Sequence, residues 1–192
     1  MAILLLGLVI FLGVHSVRIV ADDWRSAQIS RHGEKTWKLG YTVVSLAGFA
    51  LLLWGYGMAR YDTTVLWNPP VAMRHFSALL TLLAFVLLAA TYVPRNSLKA
   101  RLHHPMVIGV ALWALAHLLA NGTLADLLLF GSFLAWALAS LMAARRRDRV
   151  GGTRYPAGTM GATLIVVAVG IAAWFAFAFW LHGLWIGVRP FG

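Results

Sequence analysis

Two histidines, His15 and His117, fall inside stretches that otherwise read as membrane spans. Ionisable side chains at membrane depth are expensive, and they usually face the interior of a helix bundle, where they serve a function. A neutral imidazole donated by each of two helices is also the usual way to hold a haem iron inside such a bundle. The alternative is a hydrogen bond from each ring to a carbonyl or hydroxyl of a neighbouring helix, worth about 1 kcal/mol. Two such histidines in one small chain tilt the reading toward a shared ligand.

Their neighbours extend the pattern. Trp113 and Gly109 lie on the face of His117, at i−4 and i−8. Gly109 would let a flat macrocycle approach the helix and Trp113 would stack on it, although ordinary helix packing accounts for both. His15, Arg18 and Asp22 share one face at i, i+3 and i+7. Arg18 would then meet a haem propionate, pair with Asp22, or snorkel to a lipid phosphate. Depth raises a difficulty for the pair. At about 1.5 Å per residue, His117 lies about 18 Å beyond Pro105, whereas His15 lies about 8 Å from the end of its span. Axial ligands of one haem should be nearly level, so His104, near the level of His15, stays open as the partner. His32 and His103 read as surface residues, and His75 and His182 sit at span ends.

The elements that position these residues are apolar runs. The chain has 192 residues, 61% of them hydrophobic and 11% charged, against about a quarter charged in a soluble domain. That surplus cannot be hidden in a soluble core, so the bilayer is the expected solvent. Six runs stand out, at about 2–20, 39–58, 76–93, 104–121, 124–142 and 160–181. A span needs about 17–25 apolar residues. The fourth run is short and reaches only from His104-Pro105 to Asn121. Pro105 suits a first helical position, and Asn121-Gly122 suits a stop and tight turn. The first run has no basic residue before Arg18 and no small-residue cleavage site before Asp22, so it is expected to be a retained helix.

Charge supplies the topology. Of 16 Lys and Arg, 13 follow the first, third and fifth runs, and only Arg60, Arg74 and Arg189 lie on the other side. The positive-inside rule then predicts cytoplasmic basic loops and both termini outward. The net charge of +10 therefore reads as topology and not as nucleic-acid binding. The run Arg145–Arg149 is a topology anchor with some affinity for anionic lipid.

Other chemistry is thinly represented. Absence of Cys excludes disulfides, thiolate metal sites, covalent haem attachment and a thiol nucleophile. Only six carboxylates are present, and Asp126 alone lies close to a span. No phosphate loop, nucleophile elbow or HExxH motif occurs.

A specific stretch then carries a resemblance. The segment His104-Pro105-Met106 running to Trp113-Ala114-Leu115-Ala116-His117-Leu118-Leu119-Ala120-Asn121-Gly122 is its core. With the first helix ending in His15-Ser16 and Arg18, and the six-span layout, it resembles the NnrU family over most of the chain. The final 40 or so residues rest on their own reading. The resemblance implies non-covalent haem b, with iron ligands falling on His15 and His117 and a further family histidine on His104. It also implies two activities of different class. Bacterial members are associated with denitrification. The same pattern includes a plant carotenoid cis–trans isomerase, whose haem changes axial ligation with redox state.

The expectation is therefore an all-α, six-span, single-domain protein over 1–192, in a bacterial-type inner membrane. It is expected to bind haem b through His15 and His117, with His104, Arg18, Gly109 and Trp113 around the cofactor. As an enzyme it would isomerise a polyene; as a sensor or accessory factor it would serve nitrite and nitric oxide metabolism, with a redox partner. A cofactor-free membrane scaffold is the remaining alternative.

Overall fold

Inside a bilayer no water is at hand for backbone N–H and C=O groups, so an apolar run must satisfy them within its own helix. Helices are what form. In the computed structural model, which describes residues 1–191, α1 spans Ala2–Val20, α2 Asp22–His32, α3 Glu34–Ala59, α4 Val71–Tyr92 and α5 Ser97–Leu102. They are followed by α6 Pro105–Ala120, α7 Leu124–Gly151, α8 Met160–Ala176, a π-helical turn Phe177–Leu181 and α9 His182–Ile186.

Five stretches are long and apolar enough to cross a membrane: α1, α3, α4, α7 and the continuous run Met160–Ile186. The fourth expected span, α6, has 16 residues, about 24 Å at helical rise, against a hydrocarbon core of about 30 Å. It begins with Pro105 in its first turn and stops at Asn121, as its punctuation predicts. Polar ends lengthen other helices beyond their apolar runs. α3 starts at Glu34, where Lys38 pairs with Glu34 at 2.7 Å across one turn, and α7 continues through its arginines to Gly151. The first basic loop is itself helical. In α2, Asp22 and Asp23 open the helix and Arg31 and His32 close it, the arrangement that suits the helix dipole.

Close packing orders the bundle. A side chain on Gly7 would run into the backbone of Leu52, and one on Gly55 into the backbone of Leu4. These two positions bring α1 and α3 together antiparallel, as small residues do in membrane helix pairs. α6 packs on α4, where Ser77 donates to the Ala116 carbonyl at 2.7 Å. α6 and α7 form a tight hairpin. Thr123 and Asp126 cap α7 reciprocally, and buried Asp126 also accepts from Tyr56 Oη at 2.6 Å. The helices follow one another in the spatial order α3, α1, α7, α6, α4, α8, so that α7 stands between α1 and α6.

The basic segments gather at one end. Arg147 donates to the Arg18 carbonyl at 3.0 Å, His104 meets Asp148, and Asn96 pairs with Thr159. At the opposite end Arg60 donates to the Ile186 carbonyl at 2.6 Å, and the Leu66 N–H reaches Gly122 at 2.8 Å.

Candidate functional site

His15 sits where α1 approaches the basic end. Its Nδ1 lies 2.6 Å from the Phe11 carbonyl. A carbonyl only accepts, so Nδ1 carries the hydrogen and Nε2 keeps its lone pair. The ring is held by Phe11, with centroids 4.2 Å apart, and by the edges of Tyr41 at 5.2 Å and Trp136 at 6.0 Å. It lines a cavity of about 650 Å³ that also takes in His104, Arg18, Arg25, Lys38 and Arg147.

His104, at the start of α6, is oriented by a carboxylate. Its Nε2 lies 2.8 Å from Asp148 Oδ2, and the same oxygen accepts from Tyr155 Oη at 2.8 Å. With Nε2–H donated to Asp148, Nδ1 of the neutral ring is left open. Tyr155 stacks on His103, centroids 4.2 Å apart and planes within 3°. Burial first, and then the hydrogen bond to Asp148, push the Tyr155 phenol up to about 12. It therefore stays a donor at neutral pH and pins the loop after α7 over the cavity. Trp136 contributes an indole Nε1–H that is buried on the same cavity without a partner among the described residues.

His117 lies elsewhere. Its Nδ1 donates to the Trp113 carbonyl at 2.8 Å, and its ring stacks on Phe130 at 4.5 Å. With Trp113 it lines a second cavity of about 270 Å³, toward the opposite end, shared with His182, Arg74 and Arg189. Gly109 borders neither cavity; a Cβ there would sit 3.1 Å from the Ala84 carbonyl of α4. The residues picked from sequence are thus distributed. His15, His104 and Arg18 share one cavity, His117 and Trp113 another, and Gly109 serves the α4–α6 contact. Arg18 is mostly exposed and lies 4.0 Å from Asp22.

Trp136, Asp148 and Tyr155 were not singled out from sequence. Asp148 carried a signal, as the lone acid within the arginine run 145–149. Trp136 carried none, because an aromatic in an apolar run looks like any lipid-facing residue.

A haem b needs a volume of several hundred Å³, an imidazole lone pair and counter-charge for two carboxylates. The basic-end cavity supplies the volume, the imidazoles of His15 and His104, and four cations, Arg18, Arg25, Lys38 and Arg147, against the two carboxylates Glu34 and Asp148 on the same walls, and the Trp136 N–H adds a donor in want of an acceptor. Metal-bound histidines generally donate their other ring N–H to a carbonyl or carboxylate; His15 does the first and His104 the second. No group of three or more His, Asp or Glu gathers to hold a bare metal ion among the described residues. The second cavity has less than half the volume of the first.

No curated protein and no solved structure matches the chain. A family model described as NnrU protein matches residues 3–190. With nearly the whole length covered, the chain belongs to the NnrU family.

Proposed function

We propose that this NnrU-family protein is an integral membrane protein that binds haem b non-covalently in the basic-end cavity, with His15 as an axial ligand. The observation that carries the reading is His15 itself, with Nδ1 tied to Phe11 and Nε2 open on a cavity of about 650 Å³. His104 is the second ligand, through Nδ1, because it shares that cavity and Asp148 orients it. Arg18, Arg25 and Arg147 supply counter-charge for the haem carboxylates, Lys38 being paired with Glu34 on the same wall. By the positive-inside rule the basic end lies in the cytoplasm, in a bacterial-type inner membrane, and α6 completes six crossings.

Haem supplies a redox couple and an exchangeable coordination position. The protein's part is to hold two imidazoles, to cover the cavity with the Tyr155 loop, and to orient His104 through Asp148. The charged walls, on which cations outnumber carboxylates, suit haem carboxylates and a small polar ligand better than a long hydrocarbon. The sensing or accessory role in nitrogen-oxide metabolism is therefore preferred over isomerisation of a polyene. Turnover of a cis-carotene by the purified protein would reverse that preference.

The test is an oxidised and dithionite-reduced optical spectrum with a pyridine haemochrome assay. We expect near one haem per chain, lost in His15→Ala. His104→Ala should keep haem but convert it from low to high spin, and His117→Ala should leave the spectrum unchanged. Loss of haem in His117→Ala with retention in His104→Ala would move the site across α7 and refute the assignment of this cavity.

A further inference from the structure

Arginine at the end of a membrane bundle opposite the basic loops runs against the usual charge bias, so each one there needs a physical reason. Of the three, Arg60 has one. Its guanidinium donates to the Ile186 carbonyl at 2.6 Å and to Tyr61 Oη at 2.9 Å. Arg74 and Arg189 make no ion pair among the described residues, yet the fold brings both to one place, the second cavity. Arg74 lies in the first turn of α4, one turn before Ser77 of the same cavity. Arg189 arrives from the far end of the chain. α9 stops at Gly187, whose φ of +75° turns the backbone, and His182 Nδ1 holds the returning segment by donating to the Val188 carbonyl at 2.7 Å. Gly183 leaves room for the arginine stem, since a Cβ there would sit 3.2 Å from Arg189 Cγ.

The cavity changes character with depth. Arg74 and Arg189 are exposed residues at its rim. Thr81 and Phe85 lie two and three turns deeper along α4, where Trp113, Trp174 and Phe177 join them. The hydroxyls at that depth are already committed. Ser77 Oγ donates to the Ala116 carbonyl at 2.7 Å, and Thr81 Oγ1 donates to the Ala78 carbonyl at 2.9 Å while accepting from Trp174 Nε1 at 3.1 Å. His117, stacked on Phe130, is one more aromatic surface there. No Asp or Glu lines the cavity among the described residues. Two cations therefore converge without a counter-ion over an aromatic interior.

We infer that this cavity, independently of the cofactor proposed for the basic end, binds a small aromatic carboxylate. The carboxylate sits at the rim between Arg74 and Arg189, and the ring lies between the aromatic walls. A guanidinium fork matches the two oxygens of a carboxylate, and like charges brought together gain most from an anion between them. An apolar hollow with a few orienting polar groups is the usual form of a small-molecule site. The volume of about 270 Å³ suits a body of one or two rings. A lipid phosphate is the rival occupant of the two cations, but it would leave the aromatic depth behind them unexplained.

The test is calorimetric titration of the full chain in phosphatidylcholine nanodiscs with 2-naphthoate, against 2-naphthamide and empty discs. We expect saturable one-to-one binding of the naphthoate and about tenfold weaker binding of the uncharged amide, as loss of a charge-assisted hydrogen bond predicts. Arg74→Gln and Arg189→Gln, both at exposed positions, should each weaken the naphthoate by a similar factor and leave the amide unchanged, a split that a packing defect would not produce. Equal binding of the two ligands, or naphthoate binding unmoved by either variant, would reduce the cavity to an apolar pocket. Native mass spectrometry showing a retained phospholipid that the arginine variants lose, with no naphthoate binding, would give the arginines to lipid phosphate. Displacement of haem by naphthoate would put both ligands in one space. Each of these results overturns the proposal.

Discussion

Trp136 states the case for a ligand at the scale of one atom. Its buried indole N–H has no partner among the described residues, and such a donor costs about 1–3 kcal/mol when left unsatisfied. Removing it should stabilise the empty protein while weakening whatever fills the cavity. Trp136→Phe is therefore expected to leave the melting temperature of the haem-free protein unchanged or raised, and to shrink the rise that haem produces. Thermal melts with and without haem measure both; a variant that loses stability equally in the two states would make Trp136 a packing residue. His15 and His104 differ from it in legibility. Their types and depths were visible in sequence, and so was the mismatch in level between His15 and His117. The hydrogen bond that leaves Nδ1 of His104 open was not, since His104 and Asp148 lie 44 residues apart.

At the scale of elements, glycine spacing positions His15. Gly7 and Gly55 seat α1 against α3 with backbone contact at Leu52 and Leu4, which brings Tyr41 to the His15 ring. Gly55→Val would wedge the pair apart, at about 1–3 kcal/mol for an overpacked contact. We expect lower thermal stability and, because His15 is carried on the displaced helix, substoichiometric haem. Haem content at wild-type level in a destabilised Gly55→Val protein would show that α1 does not set the site. Helix ends followed their punctuation where a breaker was present, as at Pro105 and Asn121. Where charged residues continued a helix, as at the start of α3 and the end of α7, the apolar pattern stopped short because helix propensity does not end where hydrophobicity does.

At the scale of the whole molecule, the proposed orientation rests on charge. The chain has no cysteine, so single cysteines report sidedness cleanly. In intact spheroplasts a membrane-impermeant maleimide should label Tyr61→Cys at the opposite end and spare Arg146→Cys at the basic end, with both labelled after lysis. The reverse pattern would invert the topology. Composition, run length and the distribution of Lys and Arg thus decided on their own that this is a helical membrane chain with one basic end. Those properties are summed over many residues and survive any detail of packing. The motif from His104 to Gly122 carried the family. What only the tertiary structure decided is which histidines share a space. Helix order in the bundle depends on a few close backbone contacts, and these place α7 between α1 and α6. His15 therefore lines one cavity with His104, and His117 another with His182, because the space a side chain opens on is set by the neighbouring helices and not by its own.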